Sequence, residues 1–102
     1  MIVHIVMFKF KEENKEANIA EVEIKLNALV KLIPELKCME VGVDFSKSDR
    51  AFDLSLYSSF TSKEGLKAYA VHPEHLKVVE LIKLVTSEAK VVDYVLNTPG
   101  YS

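Results

Sequence analysis

The sequence predicts an α+β domain of the ferredoxin-like βαββαβ plan: a four-stranded antiparallel sheet with its helices on one face, pairing with a second copy of itself as a dimeric α+β barrel. Three observations lead there. Four β-type runs and two stretches of helical period follow one another in the order strand, helix, strand, strand, helix, strand. The first and last of these strands are apolar on both faces, whereas two helical layers can cover only one. Finally, 102 residues that are 49% hydrophobic and 27% charged suit one domain over residues 1–102, large enough to bury a core without disulfides or structural metal.

The first strand runs from Ile2 to Phe10, a β-branched and aromatic stretch too dense in apolar residues for a half-exposed helix. From about Asn14 to Ile33, Ile19, Val22, Leu26, Leu29 and Ile33 recur at steps of three and four, with Glu16, Glu21, Glu23, Lys25 and Lys31 on the other faces. That helix must stop at Pro34, which has no amide donor and clashes with the preceding turn. Met39, Val41, Val43 and Phe45 alternate with Cys38, Glu40, Gly42 and Asp44, the period of two that marks a strand. A polar turn over 46–50 leads to a third strand, in which Phe52, Leu54, Leu56, Ser58 and Phe60 share one face.

Thr61 or Ser62 is placed to cap a short helix through Tyr69 to Val71. His72 interrupts it, and Pro73 suits the first position of a new helix with Glu74 near its positive end. Leu76, Val79, Ile82 and Val85 form the expected inner stripe of that helix, which should end near Glu88. Val91 to Leu96 supplies the last strand, and residues 97–102 read as a loose tail of turn residues.

Several functions find no support. The net charge is −2 and the lysines are interleaved with glutamates, so nothing points to nucleic acid. No apolar run is long enough to span a bilayer, and Met1-Ile2-Val3-His4 lacks the basic start of a signal peptide. With Cys38 alone no internal disulfide forms, and the expected setting is the cytoplasm, without membrane association. There is no Gly-rich phosphate loop, no nucleophile elbow and no set of three ligands at metal spacing, so neither cofactor nor metal is expected.

The histidines are the residues with chemistry to offer. His4 interrupts an apolar strand, where its ring faces either the helix-covered core or the other face of the sheet, and either place demands a hydrogen-bond partner. In His72-Pro73-Glu74-His75, His75 falls in the first turn of a helix, whose dipole opposes a second positive charge and favours a neutral imidazole that can act as a base. Tyr57, Tyr69 and Tyr94 add phenol donors, and Tyr69 precedes His72 by three residues, on one helical face. Each of these groups also has an ordinary structural role open to it, an imidazole satisfied inside the core or a tyrosine packed with its hydroxyl at the surface.

The string His4 to Lys11, the segment Tyr69-Ala70-Val71-His72-Pro73-Glu74-His75 and the closing Val91-Val92-Asp93-Tyr94 resemble, in combination and in order, the stress-responsive A/B barrel (Dabb) family over about residues 2 to 96. The resemblance implies a homodimer whose two sheets pack face to face. Plant members of the family include stress-induced stable proteins and a polyketide cyclase, while most bacterial members have no assigned reaction. In the cyclase a pocket between sheet and helices uses the histidine matching His75 as base, supported by the one matching His4, with tyrosines near the substrate. His4, Tyr69, His72 and His75 match; the cyclase's long-helix tyrosine falls on Leu26.

The resemblance thus implies a site with His75 and His4 as catalytic groups and Tyr69, His72 and Tyr94 as contacts to a small hydrophobic or aromatic ligand. Proton abstraction of aldol or Claisen type would need such a base, a donor for the enolate oxygen and a dry pocket. The alternatives are a non-catalytic, stress-related structural protein, or a monooxygenase of the dimeric α+β barrel type, acting without cofactor or on haem.

Overall fold

The computed structural model describes residues 1–97, and in it β1 (Ile2–Phe10), α1 (Lys15–Leu32), β2 (Cys38–Val43), β3 (Leu54–Phe60), α2 (Lys63–Val71), α3 (Pro73–Val85) and β4 (Thr86–Val95) follow one another. The strands form one sheet in the order β2-β3-β1-β4, with every neighbouring pair antiparallel. This is the ferredoxin-like arrangement of two interleaved split βαβ units, as expected. The tail reading lies, from residue 98 on, outside the described residues.

Alternation along β1 divides the sheet. Ile2, Val6, Phe8 and Phe10 join Leu54, Leu56 and Phe60 of β3 in a core closed by Ile19, Val22, Leu26 and Leu29 of α1 and by Ile33. The helix ends where proline requires it to, with Ile33 already extended ahead of Pro34. Ser62 caps α2 by accepting the Gly65 amide at 3.0 Å, and His72 is at once the last cap of α2 and the first of α3, with Pro73 at the first helical position.

Three boundaries differ from the sequence expectation. β2 stops at Val43 because Asp44 turns the chain, its carboxylate accepting the Lys47 amide at 2.9 Å and the Ser46 hydroxyl at 3.0 Å. Phe45 therefore leaves the strand and stands 93% exposed. β3 begins at Leu54 rather than Phe52, since Asp53 is bonded instead to the end of β1, its carboxylate accepting the Phe10 amide and its own amide donating to the Phe8 carbonyl.

The third difference is at α3, which ends at Val85, not Glu88, and passes straight into β4 at Thr86. Glu88, Ala89 and Lys90 are good helix formers. Their pairing with Lys9, Phe8 and Met7 of β1 overrides that preference. The inner stripe of α3 is also turned from the expected one: Val78, Leu81, Ile82 and Val85 pack on the core, and Leu76 is exposed. The α1–α3 packing selects this face.

The opposite face of the sheet carries Val3, Ile5 and Met7 of β1, Tyr57 of β3, and Val92 and Tyr94 of β4. No helix covers it. Val92 is 52% and Met7 42% exposed, and Phe45 borders a cleft of about 330 Å3 with Met7, Gly42 and Ser55 at one end. No helix among the described residues is long and apolar enough to cross a membrane.

Candidate functional site

Register answers the question the sequence left open about His4. Its Cα partners are Ser58 of β3 and Asp93 of β4, and its place between Ile2 and Val6 on the alternating strand turns the ring to the helix side. There Nδ1 meets a carboxylate oxygen of Asp93. A carboxylate only accepts, so Nδ1 carries the proton and Nε2 is the free end of the ring. The backbone beneath is held by the buried Ser58, whose hydroxyl donates to the His4 carbonyl at 3.1 Å.

Tyr69 lies at the centre of the group. Its ring is 1% exposed and stands 4.2 Å from the His75 ring, 5.1 Å from Phe60 and 6.4 Å from His4, centroid to centroid. The last turn of α2 supplies Tyr69 and the first turn of α3 supplies His75, so the one-residue break at His72 brings the two rings together near His4. Burial raises the phenol pKa, keeping the hydroxyl protonated. That hydroxyl has no hydrogen-bond partner among the described residues, a costly condition for a buried donor.

His75 presents the complementary group. Nδ1 lies 3.0 Å from the Ala70 carbonyl, which can only accept, so Nδ1 holds the proton and the neutral ring has its lone pair on Nε2. Burial lowers the His75 pKa; the Ala70 carbonyl pulls the other way, and the neighbouring His4 and His72 add to the depression. The ring is thus a base already deprotonated near neutral pH. Because the unfolded chain takes up this proton first, the site contributes stability above the ordinary histidine range that is lost as pH falls toward the depressed folded value.

His72 has a different task. Its Nδ1 accepts the Glu74 amide at 3.1 Å, capping α3, so its proton is on Nε2. Tyr94 is not gathered with the others. Its Cα faces Val3, which puts its ring on the uncovered face, one pleat position from Asp93. Leu26, 1% exposed, is part of the closed core.

The residue sequence reasoning missed as a site member is Asp93. Its signal was a lone carboxylate within Val91-Val92-Asp93-Tyr94-Val95, and its meaning required knowing that this position faces His4. Asp93 is half-exposed and lines a cleft of about 240 Å3 between α2 and β4, together with Ile2, Lys63, Leu66, Lys67, Tyr94 and Val95. No group of three or more metal-ligating side chains exists among the described residues.

A ferredoxin-like domain with imidazoles and a phenol gathered under its helices, beside an uncovered sheet face, defines an α+β barrel protein. The chain belongs to the stress responsive A/B barrel domain (Dabb) family, whose model matches residues 2–96. Among its relatives is a stress-response A/B barrel domain-containing protein of Arabidopsis thaliana, 34% identical over 98% of this chain and 39% of the relative. The chain spans less than half the length of the first curated relatives it matches. Olivetolic acid cyclase of Cannabis sativa is 25% identical over 91% of this chain and 94% of its own. Of solved structures, a dimeric protein of unknown function with a ferredoxin-like fold from Bacteroides fragilis superposes with a TM-score of 0.85 at 27% identity, covering 93% of this chain and 95% of the other.

Proposed function

We propose that the protein binds a small acyl or aromatic compound between its sheet and helices and moves a proton on it, with His75 Nε2 as the base. The observation that carries this is the orphaned hydroxyl of Tyr69. A buried donor without a partner is a standing cost, and a ligand oxygen would supply the missing partner beside a neutral imidazole. His4, oriented by Asp93, supports the polar side of the site, and His72, the cap of α3, stands at its border, while Tyr94 belongs to the other face of the sheet. Kinship with olivetolic acid cyclase agrees with cyclisation or isomerisation of a carbonyl compound. Leu26, where the cyclase's long-helix tyrosine falls, argues for a different substrate from that enzyme's.

The protein works as a homodimer joined through the uncovered sheet face. The exposed Met7, Val92, Tyr94 and Phe45 support this, as does the dimeric state of the Bacteroides fragilis relative. A second reading, a stable non-catalytic protein, is favoured by the tight ring packing around Tyr69, where no cleft is needed to explain the contacts.

NMR decides between the two. With the imidazoles of wild type and His75→Ala followed, a panel of acyl and aromatic ketones should shift the His4 and His75 resonances of the wild type, and the variant should bind without moving the chemistry forward. A panel that leaves both rings unmoved removes the support for a reactive site and leaves the structural role.

A further inference from the structure

We infer that the ligand of this site is an apolar carboxylate of about ten non-hydrogen atoms, held by Lys63 and Lys67 at the mouth of the cleft between α2 and β4. The inference deepens the functional reading above and rests on it. The cleft walls are Ile2, Leu66 and Val95, and Asp93, the partner of His4, also lines it. Its 240 Å3 is of the order of eight waters at about 30 Å3 each, room for a molecule of about that many non-hydrogen atoms, and its apolar walls suit a medium-chain or arylalkyl acid rather than a sugar.

The two lysines fix the charge. They lie four residues apart on one face of α2, and both line the cleft. Neither enters an ion pair or a side-chain hydrogen bond among the described residues, whereas Lys15, Lys25, Lys47, Lys77 and Lys90 all have carboxylate partners. Their alkyl stems extend the apolar wall and leave the ammonium groups in water at the rim. Asp93 is the one acidic group lining the cleft, and it is engaged by His4, so the mouth offers two uncommitted positive charges. A carboxylate at the rim would lay the rest of the molecule along Leu66 and Val95, beside Asp93 and so next to the residue that holds His4.

Octanoate and octanamide, equal in chain length and differing in charge, test this by NMR titration of the Asp93 amide and the Leu66 and Val95 methyls. Octanoate should bind about tenfold more tightly than octanamide. The double variant Lys63→Gln/Lys67→Gln should lose that preference while still binding octanamide, and Lys83→Gln, which removes an exposed charge elsewhere on α3, should keep it. Equal affinity for the two compounds, or an unchanged preference in the double variant, overturns the carboxylate inference. So does the absence of any shift at the cleft with both compounds. The ketone panel on His4 and His75 judges the proton-transfer site separately, so the acid can fail while that site stands.

Discussion

Tyr69→Phe is expected to unfold at a higher temperature than the wild type and to lose the ligand response of His75. The variant deletes one oxygen from a ring that is 1% exposed and keeps the packing against Phe60 and His75. Because the hydroxyl has no partner among the described residues, its removal recovers the desolvation of a buried polar group, about 1–2 kcal/mol. For a domain of this size that is a rise of several degrees, at about 4–8 °C per kcal/mol. A protein that keeps a destabilising hydroxyl at the centre of two imidazoles is holding it for a ligand. Calorimetry of the two proteins checks the first half and the ketone panel the second. A variant less stable than the wild type would mean that the hydroxyl already has a partner, and the strongest support for the site would be gone.

The second large effect is on assembly. Ile5→Glu should halve the particle mass, from twice the 11.5 kDa of the chain to a single copy. Ile5 sits on β1 in the middle of the uncovered face, paired with Tyr57 on one side and Val92 on the other. In a two-fold interface the substitution buries two carboxylates without partners, a cost of several kcal/mol. In the separate protomer the same position is only half-covered, so folding should survive. Met7→Glu, at a more exposed place on the same strand, gives an independent check. Sedimentation velocity showing dimers of both variants, or monomers of the wild type, would exclude this face as the interface.

Much of this architecture was legible in the sequence, and the reasons are local. The β1 run, the 3.6-residue stripe of α1, the stop at Pro34 and the Ser62 cap all act within a few residues of themselves. Where the sequence misled, long-range pairing had overridden local preference. The residues from Thr86 to Glu88 read as the end of a helix until β1 claims them as strand. The α3 stripe was misplaced because Leu76 and Val79 are as apolar as Leu81 and Val78, and only contact with α1 distinguishes the faces.

The site shows the same division. His4, Tyr69 and His75 were singled out as polar or aromatic groups in apolar surroundings, and the fold does bring them together. His72 proved to be a helix cap, a task its place before Pro73 made visible in retrospect. Asp93 and Tyr94 exchanged importance, since adjacent strand residues point to opposite faces and only the pairing of His4 with Asp93 says which one turns inward. The distribution of charge at the α2–β4 cleft likewise required the fold, because Lys63 and Lys67 are indistinguishable in sequence from the other lysines.

The whole functional account depends on which nitrogen of His75 holds its proton. Nitrogen-15 NMR of the ring across a pH titration reads this directly. The expected result is a neutral ring protonated at Nδ1, bonded to the Ala70 carbonyl, with Nε2 unprotonated and a midpoint below the 6.5 of an ordinary histidine. A ring protonated at Nε2, or one still charged above pH 6.5, would leave no base facing Tyr69 and would contradict the proposal at its centre.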